Sequence, residues 1–176
     1  MSDPKNIAGK LLALLVLKSS PQDLPYSFAL TVQLAVFYVL SGMVVLQTTM
    51  QPENMSAGIL VSLLAQYIFV YVVLATLGKS ARLLQTFSAL MGAGLLFNLL
   101  AWPVFAVLSD ETTQDALQSS MSLLFLLLIS WEILVKAHIF RHALEMKIYS
   151  ALALSFSMFF ILISLSQLLF PVKAAA

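Results

Sequence analysis

Five apolar runs, each about as long as a helix that crosses a bilayer, constrain this chain more than any motif does. They lie at roughly 28–46, 58–77, 87–108, 119–135 and 148–170. A helix rises ~1.5 Å per residue, so ~20 apolar residues cover ~30 Å of hydrocarbon. Inside lipid every backbone polar group must be satisfied within the structure, which leaves helices and closed barrels as spanning elements. Continuous apolar runs of this length fit the helix. The expected fold is therefore all-α: a polytopic integral membrane protein with five transmembrane helices. Composition agrees, since 61% of the 176 residues are hydrophobic and only 10% are charged. A soluble domain of this size has no interior large enough for that much apolar surface. There is no cysteine, which excludes disulfides, thiolate metal sites and cysteine nucleophiles together.

The net charge of +1 carries no message, but its distribution does. Lys5, Lys10 and Lys18 precede the first run, and the loop at 47–57 holds only Glu53. Lys79 and Arg82 follow the second run. Asp110, Glu111 and Asp115 follow the third, with no cation beside them. Lys136, Arg141 and Lys147 follow the fourth, so eight of nine basic residues occupy alternate connections. Lys and Arg are retained on the cytoplasmic side during insertion. The N-terminus is expected in the cytoplasm and the C-terminus outside, in a bacterial inner membrane. An odd number of spans requires the same separation of the ends.

Three regions follow: a cytoplasmic N-terminal segment at 1–25, a five-helix transmembrane domain at 26–171, and a short external tail at 172–176. Residues 7–17 are apolar apart from Gly9 and Lys10, too short to span. They predict an interfacial amphipathic helix with Asp3 as its cap and Pro4 at its first position. The alternative for this helix is an extension packed on the bundle. Ser19 to Pro25 then breaks the chain before the first span. Small residues at Ala151/Ser155 and Ala153/Ser157, and at Ser88/Gly92, let helix backbones approach closely. They fit a seam within the bundle or one between two copies. Pro103 predicts a kink near Asn98.

Polar groups at membrane depth are costly, so each is a candidate site. Gln33, Gln66 and Asn98 are expected to bond neighbouring helices, or to line a polar path. Glu132 and Lys136 lie four apart on one helix face, as an ion pair near the cytoplasmic end of the fourth span. His138, His142 and Glu145 fall on another face with Trp131. Two histidines four apart can share a metal, with Glu145 one turn on. The competing reading places all of them among headgroups, with Trp131 as an interfacial anchor and the cations snorkelling. No glycine-rich phosphate loop or nucleophile elbow occurs, no cofactor is expected and no pattern points to nucleic acid. Asp110, Thr112, Thr113 and Asp115 offer caps for the fourth span.

The layout, the lead Asp23-Leu24-Pro25-Tyr26-Ser27 into the first span, and Trp131 with Ala137-His138-Ile139-Phe140-Arg141-His142-Ala143-Leu144 at the end of the fourth resemble the Yip family of Rab-interacting membrane proteins. The resemblance implies a non-enzymatic membrane scaffold. The family's Asp-Leu-Tyr-Gly-Pro signature and long cytosolic N-terminal region are absent here, so GTPase binding is not implied. The expected function is thus a scaffold or accessory subunit acting through membrane lipids or another membrane protein or complex. Its working surface would comprise Lys10, Lys18, Lys79, Arg82, Lys136 and Arg141. The alternatives are a small transporter or channel component using Gln66, Asn98 and Glu132, and a metal-dependent membrane enzyme using His138 and His142.

Overall fold

A computed structural model describes residues 4–49, 55–110 and 114–169. The helices are α1 (Pro4–Leu15), α2 (Phe28–Thr49), α3 (Met55–Thr76), α4 (Leu83–Leu108), α5 (Asp115–Leu144) and α6 (Ile148–Leu169). Short 3-10 turns occupy Pro21–Asp23 and Ser80–Arg82. Among the described residues there is no strand. Five helices, α2 to α6, are long and apolar enough to cross a membrane. The N-terminal helix is present from Pro4, the first described residue, while Asp3, its proposed cap, lies outside the described residues.

The largest departure from the apolar runs is α5, which continues past Val135 to Leu144. Lys136, His138, Arg141 and His142 lower the local hydropathy without breaking the helix. Between them Ala137, Ile139, Phe140, Ala143 and Leu144 are buried. Packing of this apolar stripe, not hydropathy, carries the helix another turn and more. At its other end Gln114 is the N-cap, without a side-chain cap, and Asp115 lies in the first turn. There its charge complements the helix dipole.

The bundle has a basic end, formed by residues 77–82, 145–147 and the segment before α2, and an acidic end with Asp110 and Asp115. Helix α4 is central, packed along α2 and α5; α6 packs on α5, and α3 touches α2 and α6. In lipid, apolar contact alone gives neighbouring helices no preference, so close approach and hydrogen bonds choose the partners. The α2–α4 seam shows both. The Thr31 and Ser88 hydroxyls share a bond of 2.7 Å, Asn98 Nδ2 donates to Ser41 Oγ at 2.9 Å, and Trp102 Nε1 donates to Thr48 Oγ1 at 2.9 Å. Both numbers rise together along the seam, so the two helices run parallel. Between these bonds Gly94 lets the Tyr38 ring lie on the α4 backbone, where a Cβ would come within 2.7 Å of Cε2.

Packing is concentrated toward the basic end. Every residue from Thr86 to Gly94 is buried, because α1, α2, α3 and α5 surround this part of α4. Helix α1 contributes Leu11, Leu14 and Leu15 to this core, while Leu12 and Val16 stay exposed. Leu11 sits against Gly92, where a Cβ would approach its Cδ2 to 2.4 Å. Of the two small-residue pairs in α6, Ala151 and Ser155 are buried, and Ser155 Oγ donates to the Ile133 carbonyl at 2.8 Å. Ala153 and Ser157 face outward.

After α1 the chain turns at Leu17, which has φ of 60°, and runs as a strap, irregular apart from the 3-10 turn at Pro21–Asp23, down α5 toward α2. Such a strap must have its carbonyls satisfied by other groups. Trp131 Nε1 donates to the Leu15 carbonyl at 3.1 Å and His138 Nε2 to the Ser19 carbonyl at 2.9 Å. Gln85 Nε2 donates to the carbonyls of Leu24 and Gln22 at 2.9 and 3.2 Å. Lys10 Nζ reaches the Asp23 carbonyl at 2.6 Å, and Gln22 Nε2 donates back to the His142 carbonyl at 2.7 Å. Trp131 and the histidines therefore fasten this strap.

Candidate functional site

Two groups of polar side chains stand apart from this scaffolding: a charged pair inside the bundle and a cationic rim at its basic end. The pair is Glu132 and Lys136, joined at 2.5 Å across one helical turn. Because α5 runs to Leu144, the pair lies 8 to 12 residues before the helix end, which is about 12–18 Å. The pair thus lies within the helix and not at its last turn. Lys136 is 9% exposed, so it is no part of the surface on which the sequence placed it. The Tyr38 side chain, carried across α4 by Gly94, shares the electrostatic neighbourhood of both charges. Asn98 holds the same stretch of α2 through Ser41 and, at 3.4 Å, the Tyr38 carbonyl.

Gln66 is 2% exposed in the middle of α3. Gln33 behaves differently from the expectation. It points outward from α2, because Leu30, Thr31 and Leu34 take the inward face, and it bonds no other helix among the described residues.

At the rim, Lys79 and Arg82 converge on Glu145. Lys79 Nζ bonds one carboxylate oxygen and Arg82 Nη2 the other, the second at 2.5 Å. Arg82 Nη1 also donates to the Ala143 carbonyl at 2.9 Å, satisfying an end carbonyl of α5. Glu145 itself ends α5 in the left-handed region, with φ of 56°, a conformation usually left to Gly or Asn. That turn carries Glu145 into the α3–α4 connection and away from the histidine face. The His138 and His142 rings lie 4.4 Å apart between centroids, but the three residues do not form a ligand set. Among the described residues no group of three or more His, Asp or Glu side chains could hold a metal.

The hydrogen bonds from Lys79 and then Arg82 hold the Glu145 carboxyl down from its ordinary 4.5 to about 2. A carboxylate whose folded value is depressed contributes stability that is fully present above the unfolded value and is lost as pH falls through the folded one. Acid titration in detergent should therefore show a loss of stability between pH 4.5 and about 2 that Glu145→Gln lacks. Superimposable wild-type and Glu145→Gln profiles would contradict the clamp.

The remaining rim cations are free of this arrangement. Lys18, Arg141 and Lys147 are exposed and make no ion pair among the described residues. Arg141 and Lys147 line a shallow cleft at the α5–α6 turn, with Glu145, Met146, Ile148 and Tyr149. The sequence placed six cations on one working surface. The structure ties down Lys10, Lys79 and Arg82, buries Lys136, and leaves Lys18 and Arg141 available with Lys147 beside them. A scan against protein-family models found no match, and searches of curated proteins and of solved structures returned none either.

Proposed function

We propose that this chain is a non-enzymatic membrane scaffold or accessory subunit, with its basic end toward the cytoplasm of a bacterial inner membrane. The observation that carries this reading is the rim. Three exposed cations, without carboxylate partners among the described residues, project from the most tightly packed half of the bundle. A rigid surface with unspent positive charge is suited to an acidic partner face or to anionic headgroups. The Yip-like layout favours the same class of function. Extraction in native-lipid discs followed by mass spectrometry tests it. Wild type should bring a stoichiometric protein or anionic-lipid companion, which a Lys18→Glu, Arg141→Glu, Lys147→Glu triple variant loses while still folding. An identical set of companions in both would overturn the reading.

A second reading, as a small transporter component, is favoured by the Glu132–Lys136 pair beside Tyr38. Intramembrane charges often mark ion or proton paths. Glu132→Gln would then abolish flux in liposomes while the fold survives.

A further inference from the structure

We propose that the cleft at the α5–α6 turn is a binding site for the phosphate of an anionic glycerophospholipid. The inference rests on the cationic-rim reading and names the ligand of one part of that rim. The cleft, of about 480 Å³, is lined by Arg141, Lys147 and Tyr149 together with Glu145, Met146 and Ile148. Its only carboxylate, Glu145, is already held by Lys79 and Arg82 from the neighbouring connection. Glu145 therefore leaves Arg141 and Lys147 uncompensated, although it sits beside them. Those two cations line the cleft with no ion pair of their own among the described residues.

The start of α6 adds to this. Its first helical hydrogen bond runs from the Ala151 N–H to the Lys147 carbonyl at 3.1 Å. The amides of the preceding turn have no partner within the helix and leave positive charge at the cleft. Tyr149, 81% exposed, stands at the mouth with an aromatic body and a hydroxyl, the side chain suited to a headgroup boundary.

Position selects a lipid over a soluble phosphate. The cleft lies at the first residues of α6, a helix long and apolar enough to cross a membrane, and further along it Phe156 and Phe160 are exposed. An acyl chain can lie along that apolar flank while its phosphate meets Arg141 and Lys147. A soluble anion gains nothing from the flank.

Native mass spectrometry of the delipidated protein in detergent tests the site, titrated with phosphatidylglycerol or phosphatidylcholine. Phosphatidylglycerol should bind at least about tenfold more tightly, as expected when two cations meet a net negative headgroup. Arg141→Gln with Lys147→Gln should erase the preference, and Lys18→Gln, outside the cleft, should keep it. Thermal unfolding of the double variant should match wild type, since neither exposed side chain makes an ion pair among the described residues; should it fall, Lys147→Gln alone carries the test. Inorganic phosphate at the same concentration should not displace the lipid. An unchanged preference in the double variant, an equal loss in Lys18→Gln, or displacement by phosphate would each overturn the site. A wild-type protein that binds both lipids equally, with its partner retained in native discs, would remove this site and leave the rim reading standing.

Discussion

Glu132→Ala should be among the most damaging single substitutions in this protein, lowering its stability by about 3–5 kcal/mol. The change deletes a few atoms from a side chain that is 28% exposed, so lost packing accounts for little of it. The damage comes from what remains. Lys136 is 11% exposed at its side chain, and Glu132 is the one carboxylate that pairs with it among the described residues. A buried ammonium with no partner costs far more than the ion pair contributes. Lys136→Met in the wild-type background leaves the carboxylate behind and should be damaging for the same reason. The double variant Glu132→Leu, Lys136→Met removes both charges and should return to within about 1 kcal/mol of wild type. Equilibrium unfolding in mixed micelles measures all three. A double variant as unstable as either single one would mean that the pair's hydrogen bonding, not its charge balance, holds this part of α5.

The second large effect is expected at Gly94. A Cβ there would lie 2.7 and 2.9 Å from two carbons of the Tyr38 ring. A ring cannot yield as a flexible chain end does, so α2 must move away from α4 or Tyr38 must leave its place. Either movement strains the Asn98 bonds to Ser41 and to the Tyr38 carbonyl. Gly94→Val should therefore cost on the order of 2–3 kcal/mol. Gly94→Ala combined with Tyr38→Leu should recover much of the loss, because the smaller side chain vacates the contact. Gly42 is the control on the same seam. Its nearest neighbour to an added Cβ is Asn98 Nδ2 at 3.6 Å, ordinary contact, so Gly42→Ala should be neutral or stabilise slightly. Equal damage from Gly42→Ala and Gly94→Val would show that the seam rejects any added bulk and that the Tyr38 contact is not special.

Hydropathy was enough to find five spanning helices, because in lipid the requirement for an apolar exterior is written into every turn. It failed where burial in protein replaces burial in lipid. The last nine residues of α5 look like an interface, since four of them carry polar side chains. The alternate apolar residues among them, Ile139 and Phe140 above all, are covered by the bundle. Glu132 and Lys136 therefore lie eight to twelve residues before the helix end, not at it. The Trp131 indole holds a carbonyl of a strap that no local signal announces. Glu145 shared a helical face with the histidines only as long as the helix was assumed to continue. A single left-handed residue redirected it, and glutamate gives no hint of that conformation. The Lys79–Arg82–Glu145 clamp joins residues more than sixty positions apart, which opposite charges allow but no spacing predicts.

A cytoplasmic working surface requires the cationic rim to face the cytoplasm. The chain contains no cysteine, so single cysteines can be placed at will. Lys18→Cys and Lys147→Cys report the basic end and Gln114→Cys the acidic end. With a membrane-impermeant maleimide, Gln114→Cys should label in intact cells, and the other two only in inverted membrane vesicles. Labelling of Lys18→Cys and Lys147→Cys in intact cells, with Gln114→Cys protected, would invert the threading and contradict a cytoplasmic working surface.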